Sequence, residues 1–166
     1  MIDDLDRRII GALQDHGRRS NSDIAREFGI TESTVRRRVD RLLQERIITI
    51  AVMPDEKKLG MHHHVLLGFR CDLSLIAETL LHLKEMPNLR WVGQTMGPYQ
   101  VFAEAMFPNA ELFHDFYLST LSKVPGITEI DTITVLSHAK QSYNWSYLMD
   151  QALQAARGTG DPQAGE

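Results

Sequence analysis

The residues best suited to chemistry are arginines concentrated in one short segment. Residues 36–46 hold five arginines against only two acidic residues. A guanidinium can form two parallel hydrogen bonds with guanine O6 and N7, and it also binds phosphate oxygens. This segment is therefore the first candidate for a nucleic-acid contact. The arginines are Arg36, Arg37, Arg38, Arg41 and Arg46.

The charge of the whole chain hides this concentration. The 166 residues carry 18 Lys and Arg against 22 Asp and Glu, a net charge of −4. Residues 1–60 hold twelve of those basic residues and eleven of the acidic ones, so the remainder is acidic. The composition excludes a uniformly basic coat protein, and a single cysteine, Cys71, excludes an intramolecular disulfide.

Three short helices are expected to position the arginines. The periodicity predicts helix one over residues 4–16, helix two from a cap at Asn21 or Ser22 to Gly29, and helix three after a cap at Thr31. Two helices joined by a tight turn, with arginines on the second, match a helix-turn-helix. The apolar stripe of helix three is Val35, Val39, Leu42 and Leu43.

The side of helix three opposite this stripe carries the predicted contacts. Arg37 and Arg41 are the candidates for reading base edges, whereas Arg36 and Arg38 flank the stripe and can reach phosphates or pair with acids of the same domain. The predicted DNA-binding residues are Ser33, Thr34, Arg36, Arg37, Arg38 and Arg41. The alternative is a solvated helix face whose arginines pair with Glu32, Asp40 or Glu45.

The rest of the chain predicts a second domain. A β-branched run over residues 47–52 is expected to form a wing, and residues 54–60 form a polar linker. The order that follows is β-α-β-β-α-β, typical of an antiparallel sheet with two helices on one face. The fold class is thus α+β: a winged helix-turn-helix over 1–53, a ferredoxin-like domain over 61–143, and a C-terminal helix with a disordered tail over 144–166.

One face of this sheet is left uncovered by the two helices. A partner subunit, or an amphipathic helix near the C-terminus, is expected to cover it. The apolar residues of that helix are Trp145, Leu148, Met149 and Leu153.

These residues resemble the Lrp/AsnC family of transcription regulators. The resemblance begins with Leu5-Asp6, Asp23-Ile24-Ala25 and Ile30-Thr31-x-x-Thr34-Val35-x-x-Arg38-Val39-x-Arg41-Leu42. It continues with Gly97-x-Tyr99 and Pro125-Gly126-Ile127, which are similar to the family's regulatory βαββαβ module.

The resemblance implies a homodimer that pairs through its sheets and assembles further into tetramers, octamers or hexadecamers. It also implies an amino-acid effector bound between dimers, near the loop Gly97, Pro98, Tyr99 and Gln100. Family members commonly carry an aspartate where this chain has Gln100, and a glycine where it has Arg46. The expected partners are double-stranded DNA, the chain itself and such an effector.

Other residues offer weaker chemistry. His62, His63 and His64 are expected to line an interface rather than to bind a metal, because no carboxylate or cysteine is near in sequence. We expect no metal, no cofactor and no enzyme activity. Two alternatives stay open, namely a ligand-independent architectural DNA binder and an enzyme similar to siroheme decarboxylases. The N-terminus lacks a signal peptide, so a cytoplasmic protein without a membrane partner is expected.

Overall fold

The computed structural model describes residues 2–158 and divides the chain into two compact units. The first unit comprises residues 1–52 and 140–166, and the second comprises residues 53–139. Within the described part, no helix is long and apolar enough to cross a membrane. The sequence predicts disorder over residues 158–166. Gly158 is instead the last residue of a helix, and residues 159–166 lie outside the described residues.

The first unit is a helical bundle formed by α1 (Asp4–Asp15), α2 (Asn21–Phe28), α3 (Glu32–Gln44) and α6 (Ser146–Gly158). Its core takes one apolar stripe from each of the first three helices, as the periodicity predicts. Of the four residues predicted for the apolar stripe of α3, three are buried, whereas Leu43 is 36 % exposed. The fully buried apolar residues are Ile9, Ile24, Val35 and Leu42.

The turn between α2 and α3 follows from the residues at the helix ends. The hydroxyl of Ser20, rather than Asn21 or Ser22, accepts the Asp23 N–H at 3.1 Å, so α2 begins one or two residues earlier than predicted. Gly29 ends α2 in the left-handed conformation, with φ of 67°. Thr31 caps α3 as expected, accepting the Thr34 N–H at 3.2 Å. The helix-turn-helix predicted from the sequence is confirmed.

The wing is not. Residues 47–62 contain turns but no strand. β-branched residues favour a strand only where a neighbouring strand satisfies the backbone, and a lone extended segment lacks that partner. Accordingly Ile50 and Val52 are exposed, at 58 % and 92 %.

The C-terminal helix α6 packs on α1, whereas the sequence analysis offered either this helix or a partner subunit as the cover of the open sheet face. Met149 contacts the apolar core of the first unit. The Gln14 side chain on α1 donates to the Tyr143 carbonyl at 3.2 Å and accepts the Trp145 N–H at the same distance. The side chain of Leu153 lies outside the described residues.

The second unit is the predicted βαββαβ arrangement. It consists of β1 (His63–Cys71), α4 (Ile76–Lys84), β2 (Leu89–Gln94), β3 (Val101–Phe107), α5 (Ala110–Ser119) and β4 (Ile127–Val135), with a short 3-10 turn before β4. The strands form an antiparallel sheet in the order β2-β3-β1-β4. The ferredoxin-like expectation is confirmed.

The two faces of this sheet differ in burial. Side chains alternate along a strand, so Val65, Leu67 and Phe69 on β1 lie on the face packed against α4 and α5, where all three are fully buried. The opposite face, which we call the open face, carries apolar residues that these helices do not cover. It presents Leu66, Trp91, Phe102, Met106 and Ile133, and Trp91 and Ile133 are about half exposed.

An arginine adopts an unusual backbone conformation directly after α3. Arg46 has φ of 53°, and its N–H donates to the Leu43 carbonyl at 3.0 Å. A left-handed residue at this position is normally glycine, because a Cβ atom there is strained. Among residues 2–158, Arg46 is the only residue other than glycine that has a positive φ.

We therefore expect Arg46→Gly to stabilise the protein. Relief of about 1–2 kcal/mol of strain exceeds the roughly 0.5–1 kcal/mol of extra chain entropy that glycine loses on folding. Chemical denaturation should show a free energy of unfolding higher by about 0.5–1 kcal/mol. Arg46→Ala, which keeps the strain, is the control. A glycine variant no more stable than the alanine variant would contradict this account.

Candidate nucleic-acid interface

Helix α3 presents a polar face along an open groove. Ser33, Arg37, Asp40 and Gln44 recur at helical spacing on this face, and all four line the groove, which has a volume of about 1010 Å³. Two further groups of residues line the groove. The acids are Asp3 and Glu32, and the arginines are Arg36, Arg38 and Arg41.

A buried carboxylate beneath this groove joins α3 to α1. Asp6 is completely buried, and its Oδ1 accepts a hydrogen bond from Arg38 Nη1 at 3.1 Å while its Oδ2 accepts one from Arg41 Nη2. The Asp3 N–H also donates to Asp6 Oδ2, at 3.0 Å. Because a buried charge is costly unless it is paired and hydrogen-bonded, Asp6 needs both arginines.

Asp3 completes this arrangement at the edge of the groove. Its carboxylate accepts the Asp6 N–H at 2.9 Å, which forms a capping box at the start of α1, and it also accepts from Arg38 Nη1. We call Asp3, Asp6, Arg38 and Arg41 the α1–α3 ion cluster. Its two carboxylates balance its two guanidinium groups.

The six residues predicted to bind DNA thus differ in what they already contact. Arg36 donates to Glu32 at 2.9 Å, one turn earlier on α3. Arg38 and Arg41 belong to the α1–α3 ion cluster, and Arg41 Nε is buried without a hydrogen-bond partner in the described part of the chain. Arg37 is exposed and has no acidic partner among residues 2–158. It is the arginine of the groove whose donors are all available.

The two predicted hydroxyls lie at the first turn of α3. Thr31 Oγ1 is 3.0 Å from Ser33 Oγ and 2.8 Å from Thr34 Oγ1. Ser33 is exposed, whereas Thr34 is half-buried. Ser33 is therefore the better placed of the two to reach a ligand in the groove.

Four residues of the groove, Asp3, Glu32, Asp40 and Gln44, were not among the contacts predicted from the sequence. Asp40 and Gln44 lie seven and eleven residues after Ser33, a helical spacing that could have identified both. Asp3 gave no such signal, because its place beside Arg38 depends on how α1 packs against α3.

The predicted effector loop is a tight connection between β2 and β3. Gly97 has φ of 134°, and Met96, Gly97 and Pro98 are exposed. The Tyr99 ring packs on Gly68 so closely that a Cβ there would lie 2.8 Å from it. Gln100 Oε1 accepts the Cys71 N–H at 3.0 Å, so part of the amide holds the sheet end together.

The three histidines at the start of the second unit occupy different environments. His62 is exposed, His63 lies 5.4 Å from the Phe113 ring, and His64 is near the open face. His64 Nδ1 is 2.8 Å from His138 Nε2, and Glu104 lies on its other side. Burial lowers the pKa of His64 below its usual range, although Glu104 opposes this shift.

No group of three or more metal-ligating side chains that could hold an ion occurs among the described residues. That the histidines line an interface stays a prediction.

Comparison with known proteins places these features in a family. Residues 2–43 match the AsnC-type helix-turn-helix domain, and residues 65–145 match the Lrp/AsnC ligand binding domain. The HTH-type transcriptional regulator Ptr1 of Methanocaldococcus jannaschii is 36 % identical over 137 residues, which cover 82 % of this chain and 93 % of that protein. An HTH-type transcriptional regulator of Pyrococcus furiosus is 32 % identical over 144 residues, 86 % and 97 % of the two chains.

Solved structures show the same fold. E. coli AsnC superposes with a TM-score of 0.82 and 24 % identity, covering 87 % of this chain and 98 % of its own. A Neisseria meningitidis transcriptional regulator, solved as a complex with L-Met, gives a TM-score of 0.81 at 18 % identity and covers 89 % and 99 %.

The capping box at Asp3 predicts a specific loss of stability in acid. The hydrogen bond from the Asp6 N–H, with help from Arg38, lowers the pKa of Asp3 from 3.8 to about 2. The folded state therefore holds Asp3 charged at a pH where the unfolded chain binds a proton. This contribution to stability is present above the unfolded pKa of 3.8 and is lost as the pH falls toward 2.

Urea denaturation at several pH values between about 5 and 2 tests this. Asp3→Asn keeps an efficient N-cap but has no charge to lose, so its free energy of unfolding should fall less over that range than that of the wild type. Asp4→Asn, a charge change in the same turn, is the control. Parallel pH profiles for the wild type and Asp3→Asn would rule the explanation out.

Proposed function

The chain belongs to the Lrp/AsnC family of transcriptional regulators, and from this we propose a sequence-specific double-stranded DNA binder that works as a homo-oligomer under a small-molecule effector. The observation that carries the proposal is the exposed polar face of α3, where Arg37 stands free in a groove with Ser33 and Gln44. An α-helix with such side chains fits the major groove of B-DNA.

Within this proposal the six predicted residues have different roles in the interface. Arg37 reads a base edge, since its guanidinium has no internal partner to give up. Ser33, Thr34 and Arg36 lie near the start of α3, where hydroxyls and a partly paired guanidinium suit phosphate contacts. Arg38 and Arg41 stay at the edge of the interface and hold α3 in place through Asp6.

A second copy of the chain is the partner that we propose for the open face. Leu66, Phe102 and Ile133 lie on neighbouring strands of this face, with Glu104 directly opposite Leu66. Apolar residues gathered on one exposed face are typical of an interface. Pairing two sheets through this face gives a two-fold dimer with two copies of α3. Such a dimer contacts two half-sites about one helical turn apart, or a multiple of it, and larger rings such as octamers bend the DNA.

We propose that the loop of Gly97, Pro98, Tyr99 and Gln100 contributes to the effector site. The ligand binding domain of the family covers this loop, and the Neisseria relative was solved with L-Met. The exposed Gly97 and Pro98 leave the backbone of the loop accessible, while Gln100 supplies an amide rather than a negative charge. An amino acid is the class of effector that we propose.

Replacing the free arginine should weaken sequence discrimination. Arg37→Ala is expected to cost about 1–3 kcal/mol on a duplex that the wild type selects from random sequences, with a much smaller loss on unrelated duplexes, because a base contact is removed. Fluorescence anisotropy on both duplexes measures this. Lys84→Ala, which removes a cation from the second unit, should leave both affinities unchanged.

Arg36→Ala provides the contrast for a phosphate contact. It should weaken binding to all duplexes equally and reduce the salt dependence of the binding constant. If Arg37→Ala behaves in the same uniform way, Arg37 contacts the backbone and does not read a base.

A charge on the open face should break the dimer. Ile133→Glu places a carboxylate in the proposed apolar interface, so the mass in light scattering is expected to fall to that of a monomer. Thr132→Glu is the matched control, because the neighbouring residue on β4 points to the other face and is exposed. Unchanged assembly of Ile133→Glu, or equal dissociation of both variants, would disprove an interface through this face.

A further inference from the structure

The groove along α3 is close to electrically neutral. Four arginines line it, but so do three carboxylates, and the buried Asp6 lies directly beneath. Non-specific affinity for DNA comes almost entirely from neutralising phosphates with unpaired cations. A groove with so few unpaired cations therefore gains little from DNA of arbitrary sequence.

Asp3 is the acid of this groove that does not belong to α3. Its side chain is 52 % exposed, whereas that of Arg38, which it contacts, is 24 % exposed. Asp6 alone would have to balance both Arg38 and Arg41. The exposed charge of Asp3 is thus what brings the α1–α3 ion cluster to neutrality at the surface where the DNA would lie.

Two roles of Asp3 can be separated. As the N-cap of α1 it accepts the Asp6 N–H, a role that an asparagine oxygen fills equally well. As a charge it neutralises Arg38, a role that asparagine cannot fill. The variant Asp3→Asn therefore changes the electrostatics of the groove and preserves the helix cap.

We propose that Asp3 is a specificity-determining residue, whose carboxylate neutralises Arg38 and keeps the affinity for DNA of arbitrary sequence low. The inference rests on the proposed DNA binding by α3. Its consequence is that discrimination depends on an acid from α1 as well as on the base-reading side chains of α3. Loss of the acid gives the cluster one net positive charge, which is available to a phosphate.

The test compares two duplexes of equal length, one selected by the wild type from random sequences and one scrambled. The full-length wild type, Asp3→Asn and Asp4→Asn are titrated at several salt concentrations. One added phosphate contact steepens the salt dependence by about 0.9 and raises affinity about eightfold at 0.1 M salt. Asp3→Asn should show this gain on the scrambled duplex. The gain on the selected duplex should be smaller, because base contacts there fix the register of α3 and limit how far Arg38 can move to reach a phosphate.

Asp4→Asn is the matched control. Asp4 lies in the same turn of α1 and pairs with Arg7, and it does not line the groove. The same change in net charge should therefore leave both affinities unchanged. Thermal melting and circular dichroism of each variant establish that it is folded, and Asp3→Ser is a second capping variant if Asp3→Asn melts early.

The same change made in a variant that lacks Arg38 tests whether Arg38 is the cation that Asp3 neutralises. In Arg38→Gln, whose amide can still donate to Asp6 and whose folding is checked by the same melting, the further change Asp3→Asn should have little effect, because the cation that Asp3 neutralises is gone. An equal gain in that background would mean a general effect of charge and would overturn the proposal. An equal gain on the selected and scrambled duplexes, or no gain on either, would overturn it as well.

The same measurements distinguish failure of the proposed DNA binding from failure of the role of Asp3. If neither the wild type nor any variant binds any duplex at low salt, DNA binding by α3 is wrong. If the wild type binds its selected duplex normally and Asp3→Asn matches it on both duplexes, only the role of Asp3 is wrong.

Discussion

The charge of Asp6, completely buried under α3, is the constraint on which the DNA-binding unit depends. A carboxylate in that position is stable only while guanidinium groups satisfy both of its oxygens, and Arg38 and Arg41 do so from α3. Loss of one partner of a buried pair typically costs about 3–5 kcal/mol. Helix α3 is thereby held in one position against α1, and its outer face is left for a ligand.

The same constraint separates the arginines of α3 by function. The spacing of the sequence places Arg37 and Arg41 on one side of the helix, and both are candidates for base contacts on that ground alone. Only the packing of α1 against α3 shows that Arg41 reaches Asp6, and that Asp3 joins Arg38 at the rim of the groove. An ion pair between residues more than thirty positions apart leaves no periodic signal, so helical spacing could not predict it.

Other parts of the structure were predictable to different degrees. The sequence predicted α1–α3 and all four strands, because apolar periodicity and capping residues act locally. It also predicted a wing over residues 47–52, where the structure has no strand. β-branched residues such as Ile50 favour an extended backbone but do not indicate whether a partner strand is present. The position of α6 also depends on a distant contact, the bonds of Gln14 to the segment around Trp145. Arg46 was singled out as a departure from the family's glycine, and its left-handed conformation shows why glycine is usual there.

The most direct test of the account is a mobility-shift assay of the full-length protein on DNA from its own upstream region, with excess competitor DNA, with and without pooled amino acids. The account predicts a shift that survives the competitor and changes when the amino acids are added. A shift that the amino acids do not alter would remove the effector and leave a DNA binder. The absence of any competitor-resistant shift, on this region and on duplexes selected from random sequences, would contradict sequence-specific DNA binding.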